Sequence, residues 1–188
     1  MDAVPRSRYV LFFTIVAAGC ALDLATKSWI FTWLGLPGEN PTHWLWKDIF
    51  GFTTSLNEGA LFGIGKGQVL LLTSLSVAAA LGILYWLFIT GAAHDRLLTI
   101  ALGCVLAGIF GNLYDRLGIP GLTLGGQRIL AVRDWLHFRV EGIIDWPIFN
   151  LADSFLVCGA ALLVWHAFRA ENSPRSRVPA PPETVEQA

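Results

Sequence analysis

The chain has little charge. Only 14% of its 188 residues are Asp, Glu, Lys or Arg, where a soluble domain of this size carries about 25%. The deficit excludes an ordinary water-exposed surface and points to burial in lipid. Net charge is −1, so no basic field exists for nucleic acid. Cysteine is scarce too. Cys20, Cys104 and Cys158 are odd in number and each sits inside an apolar run. That argues against a disulfide framework, and the spacing is too wide for a metal site; all three read as small apolar packing residues. His43, His94, His137 and His166 are dispersed without paired ligand spacing. No serine occupies a Gly-x-Ser-x-Gly turn, and no His-Glu-x-x-His occurs. A serine hydrolase of that type and a zinc protease therefore have no support, and no metal or other cofactor is expected.

What is present is apolar and aromatic. Hydrophobic residues make up 54% of the chain and Trp occurs eight times. The tryptophans lie at or between the ends of apolar runs, as in an interfacial aromatic belt. Four runs approach the length of about 20 residues needed to cross about 30 Å of hydrocarbon. They are 9–34, 68–90, 97–117 and 149–168. The first run begins after Arg6 and Arg8 and contains Ala17-Ala18-Gly19-Cys20, the outline of a cleavable lipidated leader. The run continues past that point and three more follow, so it reads as a span. In the third run, Gly103, Ala107 and Gly111 share one helix face, a small-residue stripe that lets helices approach closely in lipid.

Two polar loops, 35–67 and 118–148, separate these spans. Residues 48–56 are aromatic and β-branched and read as one or two short strands; 129–140 reads as another. The expected fold is an all-α polytopic membrane protein, with four transmembrane helices and a small extracytoplasmic β-rich loop region. Residues 1–169 form a single membrane domain in this reading. The proline-rich segment 170–188 forms a disordered cytoplasmic tail. Four spans put both termini on one side and both long loops on the other. Lys and Arg in the short flanks favour the termini inside. The loop 35–66 is expected to close over a site as a lid.

Polar residues at the membrane edge carry the functional question, because charge there is costly. Asp23 and Lys27 are i, i+4 in the first span and can pair. That pair is equally a structural device or a support for a site. Asn57 and Gly59 end the first loop, where a turn would account for them. Asn112, Asp115 and Arg116 share one side of the third span's end, and an Asp115–Arg116 salt bridge would account for two of them. Asn150 and Asp153 open the fourth span at i, i+3, the pattern of a helix capping box. Asp134 lies in the second loop.

These pieces resemble the lipoprotein signal peptidases, the type II signal peptidases of bacteria. In the family's order they are Asp23-Leu-Ala-Thr-Lys27, Asn57-Glu-Gly-Ala-Leu-Phe-Gly63, Gly111-Asn-Leu-Tyr-Asp-Arg116, Val132-Arg-Asp134-Trp135 and Phe149-Asn-Leu-Ala-Asp-Ser154. The resemblance implies an intramembrane aspartyl endopeptidase in the bacterial cytoplasmic (inner) membrane, working near its outer face. It would remove signal peptides from prolipoproteins that carry a diacylglyceryl-cysteine, in contact with membrane lipids. Cyclic peptides of the globomycin type would block it. Asp134 and Asp153 would be the catalytic pair. Asp23, Lys27, Asn57, Gly59, Asn112, Asp115, Arg116 and Asn150 would form the polar and substrate-binding surround. Two carboxylates about 3 Å apart cannot both ionise. One would activate water and the other would protonate the substrate.

The chain departs from the family's pattern in a longer 117–133 segment and in Trp135, where Phe is usual. Asp115 and Asp145 compete for the first acid. Asp145 is only eight residues before Asp153, and Asp115 stands beside Arg116. A small transporter or proton-coupled membrane protein is the rival reading, since Asp23, Lys27, Asp115 and Asp153 could relay protons. Against it, the chain has no inverted repeat and no span broken midway. A membrane scaffold without chemistry would leave the polar helix ends unexplained.

Overall fold

The computed structural model describes residues 3–59 and 67–171, and the side chains of 170 and 171 are excepted. Expectations for the tail beyond 171, and for the part of the loop lid at 60–66, lie outside the described residues. Among the described residues, four helices are long and apolar enough to cross a membrane. They are α1 (Arg6–Leu34), α2 (Val69–Leu84), α3 (Arg96–Arg116) and α4 (Leu151–Glu171). A π-helical turn, Tyr85–Ile89, prolongs α2. That wide turn brings Phe88 onto α1, where it stacks on Tyr9 at 4.3 Å and meets the edge of Phe12 at 5.2 Å.

The all-α label is approximate, and the expected β-rich loop region takes the form of small sheets. The two loops carry strands β1 (His43–Trp46), β2 (Phe50–Asn57), β3 (Thr123–Leu124), β4 (Gln127–Arg128), β5 (Val132–Val140) and β6 (Ile144–Asp145). One antiparallel sheet has the order β1-β2-β5-β6, and β3-β4 is a separate hairpin. Strand pairing between loops 80 residues apart leaves little local signature. That is why only the aromatic and β-branched cores of β2 and β5 were legible.

Helix α3 is the axis of the bundle. Two-thirds of its apolar stretch is buried inside the protein, whereas the other three helices leave most of theirs open. Its small residues make this possible. Gly103 lies against Ile15 and Phe12, Ala107 against Gly19, and Gly111 against Asp23, all on α1. A second seam faces α4, where Gly108 lies against Ala152 and Leu156, and Gly159 against Ala101 and Val105. The expected stripe is therefore the α1 contact, and Gly108 with Gly159 makes an equivalent one for α4.

The 29-residue α1 extends about 43 Å, well beyond a hydrocarbon core of about 30 Å. Its C-terminal end carries the sheet. Ile30, Phe31 and Leu34 pack with Trp135 and Leu136 of β5. Trp135 also meets Phe52 at 5.3 Å. Trp135 is thus a core residue and not part of an exposed belt. Trp29, Trp33, Trp46, Trp86, Trp146 and Trp165 keep exposed rings, as a belt requires.

Candidate active site

Strand β5 decides what faces what. Val132 and Asp134 point to one side and Arg133 and Trp135 to the other, because side chains alternate along a strand. Asp134 opposes Ser55 across the sheet. The register of β2 shifts by one residue between Phe52 and Ser55, a bulge of the kind that re-aims side chains. Beyond it, Asn57 reaches back and its Nδ2 donates to Asp134 Oδ2 at 3.1 Å.

Helix α4 supplies the second acid. Asn150 and Asp153 form the reciprocal capping box that their spacing predicts. The Asp153 N–H donates to Asn150 Oδ1 at 2.9 Å, and the Asn150 N–H donates to Asp153 Oδ2 at 3.2 Å. A helix N-terminus stabilises a carboxylate there. Asp23 of α1 adds a cap from outside, accepting the Ala152 N–H at 2.9 Å.

Two asparagines join the acids. Asn150 Nδ2 donates to Asp134 Oδ1 and, at 3.1 Å, to Asn112 Oδ1. Asn112 Nδ2 donates to Asp153 Oδ1 at 2.8 Å. Each amide is oriented by a donor on its oxygen. For Asn150 that donor is the Asp153 N–H; for Asn112 it is Lys27 Nζ at 3.0 Å. A cation on the oxygen turns the Asn112 nitrogen toward Asp153.

Beneath lies a group of buried charges. Lys27 Nζ meets Asp23 Oδ2 at 2.7 Å and Asp115 Oδ2 at 3.1 Å. It also donates to Asn112 Oδ1 and, at 3.4 Å, to the Gly111 carbonyl. Arg133 Nε meets Asp115 Oδ1 at 2.8 Å. The Asp115–Arg116 salt bridge expected from the sequence does not form. Arg116 instead donates to the Gly59 carbonyl at 3.0 Å, while the Gly59 N–H is held by Asn57 Oδ1 at 2.9 Å. Asn57, Gly59 and Arg116 together fix the backbone at the end of β2. Arg133 was missed in the sequence. Its one signal was an Arg on the opposite face of the strand from Asp134.

Asp134 and Asp153 share the end of a cavity of about 840 Å³ between α2, α3 and α4. Its walls are mainly apolar, with Leu72 and Ala79 from α2, Ile109 from α3, and Leu156 and Ala160 from α4. Burial pushes the Asp134 carboxyl up to about 7, and the charge of Asp153 pushes in the same direction; the donors from Asn57 and Asn150 oppose the rise. The rival acids are placed elsewhere. Asp145 is two-thirds exposed and bonded to His137 at 2.9 Å. Asp115 has both oxygens taken by cations.

A family model described as signal peptidase (SPase) II matches residues 15–169. The chain belongs to the signal peptidase II family. A lipoprotein signal peptidase of Rhodopirellula baltica is 48% identical over 92% of this chain and 78% of its own length. One from Synechocystis sp. is 36% identical over 84% of this chain and 88% of its own. Two solved structures of bacterial membrane enzymes share the fold. One has a TM-score of 0.73 at 24% identity, covering 89% of this chain and 93% of its own. The other has 0.67 at 25% identity, covering 84% and 92%. Membership in the signal peptidase II family makes the chain a protease of the bacterial inner membrane that acts in lipoprotein processing.

Proposed function

We propose that the protein is an intramembrane aspartyl endopeptidase that cuts signal peptides from diacylglyceryl-modified prolipoproteins, with Asp134 and Asp153 as the reacting acids. The observation that carries this is the geometry of two carboxyls that line one cavity and are joined through Asn150 and Asn112. Asp134 is buried and holds its proton up to about pH 7. Asp153 sits at a helix N-terminus that stabilises its charge. Two neighbouring carboxyls that share one proton divide the acid and base roles between them. The ionised Asp153 takes a proton from water as the water's oxygen attacks the scissile carbonyl carbon. Asp134 donates its proton to the carbonyl oxygen. As the tetrahedral intermediate collapses, the amine leaves with a proton from the pair.

The apolar walls supplied by α2, α3 and α4 suit a helical signal segment and acyl chains. Residues 1–169 then work as one membrane unit, with the sheet and the acids near the outer face and both termini cytoplasmic. A cyclic peptide such as globomycin would compete for the same cavity. The transporter reading gains nothing here, since Asp23, Lys27 and Asp115 are tied to one another.

The test is cleavage of a diacylglyceryl-modified prolipoprotein by Asp134→Asn and Asp153→Asn. Each variant should stay folded and lose activity by at least about 10³-fold, with both the acid and the base indispensable. Full cleavage by either one sinks the assignment. Cleavage by the unaltered enzyme should persist in EDTA.

A further inference from the structure

We propose that Arg133 is a positioning residue for Asp134, acting through Asp115 as a clamp between β5 and α3. The inference rests on Asp134 being a reacting acid. Arg133 holds Asp115 twice. Its Nε donates to Oδ1 at 2.8 Å, and its own backbone N–H donates to Oδ2 at 3.1 Å. A single carboxylate of α3 therefore holds the residue immediately before Asp134 by both its side chain and its backbone N–H. On the other side, the Trp135 and Leu136 N–H groups both donate to the Phe149 carbonyl, at 3.0 and 2.8 Å. Asp134 is thus pinned from both flanks by contacts outside the β2 ladder. That ladder is interrupted here, because the bulge of β2 falls opposite Trp135.

Charge explains why the position takes a cation. Asp23 and Asp115 carry two negative charges; Lys27 and Arg133 carry two positive ones, and all four groups are 4% exposed or less. Without Arg133, a buried carboxylate would be left in excess directly beneath the acid pair. The Arg133 guanidinium makes its one short contact with Asp115. Its second terminal nitrogen is buried without a hydrogen-bond partner, and its other contacts are long, 3.4 Å to Ser28 Oγ and 5.9 Å to the Phe31 ring. Arg133 does not line the cavity, so it acts on the reaction through Asp134 and not on substrate.

The experiment compares Arg133→Met, Arg133→Lys, Asp115→Asn/Arg133→Met and Asp134→Asn as purified full-length enzymes, on a diacylglyceryl-modified prolipoprotein. A misplacement of about 1 Å costs about 10²-fold in rate. Arg133→Met should therefore lose about 10²-fold in kcat with KM within about twofold. Arg133→Lys should recover part of that loss, because an ammonium restores the charge without the fork geometry. The double variant removes one acid and one base together. It should fold even where Arg133→Met does not, and still show the reduced kcat. Wild-type kcat in the double variant overturns the clamp, and so does a raised KM with kcat unchanged. Failure of both Met-containing variants to fold also overturns it, because Arg133 is then a scaffold requirement. Asp134→Asn separates the two claims. If it cleaves at full rate, the acid pair itself is wrong. If it is inactive while Arg133→Met is unimpaired, only the clamp falls.

Discussion

Asp134 and Asp153 are the same residue type with different surroundings, and that difference sets the pH behaviour. A folded carboxyl that titrates near 7 keeps its proton where an unfolded one, near 3.9, has lost it. The folded state therefore binds more protons across that window, and stability falls as pH rises through it. A shift of about three units is worth at most about 4 kcal/mol. Thermal unfolding should show the wild type losing stability between pH 5 and pH 8. Asp134→Asn should be flatter over the same range. Equal slopes would mean that another group is responsible. Cleavage should also slow as pH rises through about 7 and Asp134 loses its proton. The limb so measured belongs to the pair rather than to one residue. At this scale the sequence was legible for residues whose spacing implies a partner nearby in the chain. The Asp23–Lys27 pair and the Asn150–Asp153 box formed as their spacing predicts. Arg133 and the true partners of Asp115 were not legible, since those contacts join α1, α3 and β5 across the fold.

At the level of elements, α4 serves two ends. Its first turn holds Asp153 in fixed geometry, and its middle packs on α3 through glycine. A Cβ at Gly159 would stand 2.6 Å from Val105 Cγ2 and 2.8 Å from the Ala101 carbonyl oxygen. A Cβ at Gly108 would stand 2.7 Å from Leu156 Cγ and meets the Ala152 backbone, next to Asp153. Overpacking of this sort costs about 1–3 kcal/mol. Gly159→Ala and Gly108→Ala should both lower the unfolding temperature. Only Gly108→Ala should also lower kcat per folded molecule, because it displaces the helix start that carries the acid. Equal kcat in the two variants would show that the α3–α4 seam does not set the position of Asp153. The four spans were legible because apolar length is a local property. They differ from expectation only at their ends, as α1 starting at Arg6 and α4 starting at Leu151 show. The sheet was half legible. The pairing of β2 with β5 depends on strands contributed by separate loops, and no period within either loop encodes it.

The molecule as a whole is polarised along the helix axes. The sheet, the buried charges and the cavity end that bears the acids are at one pole; the start of α1 and the α2–α3 turn are at the other. Cations at the two poles are not equivalent. Arg133 is buried against Asp115, and Arg139 is paired with Asp48 at 3.3 Å. Arg6 and Arg96 at the opposite pole are exposed. The positive-inside rule counts such flanking residues, and on that basis we propose that both termini are cytoplasmic. The prediction is tested with single cysteines in a background where Cys20, Cys104 and Cys158 are alanine. Glu141→Cys, at the exposed β5–β6 turn, should react with a membrane-impermeant maleimide in intact cells. Ser7→Cys, at the start of α1, should react only after the membrane is opened. The reverse pattern would put the acids at the cytoplasmic face and overturn this orientation.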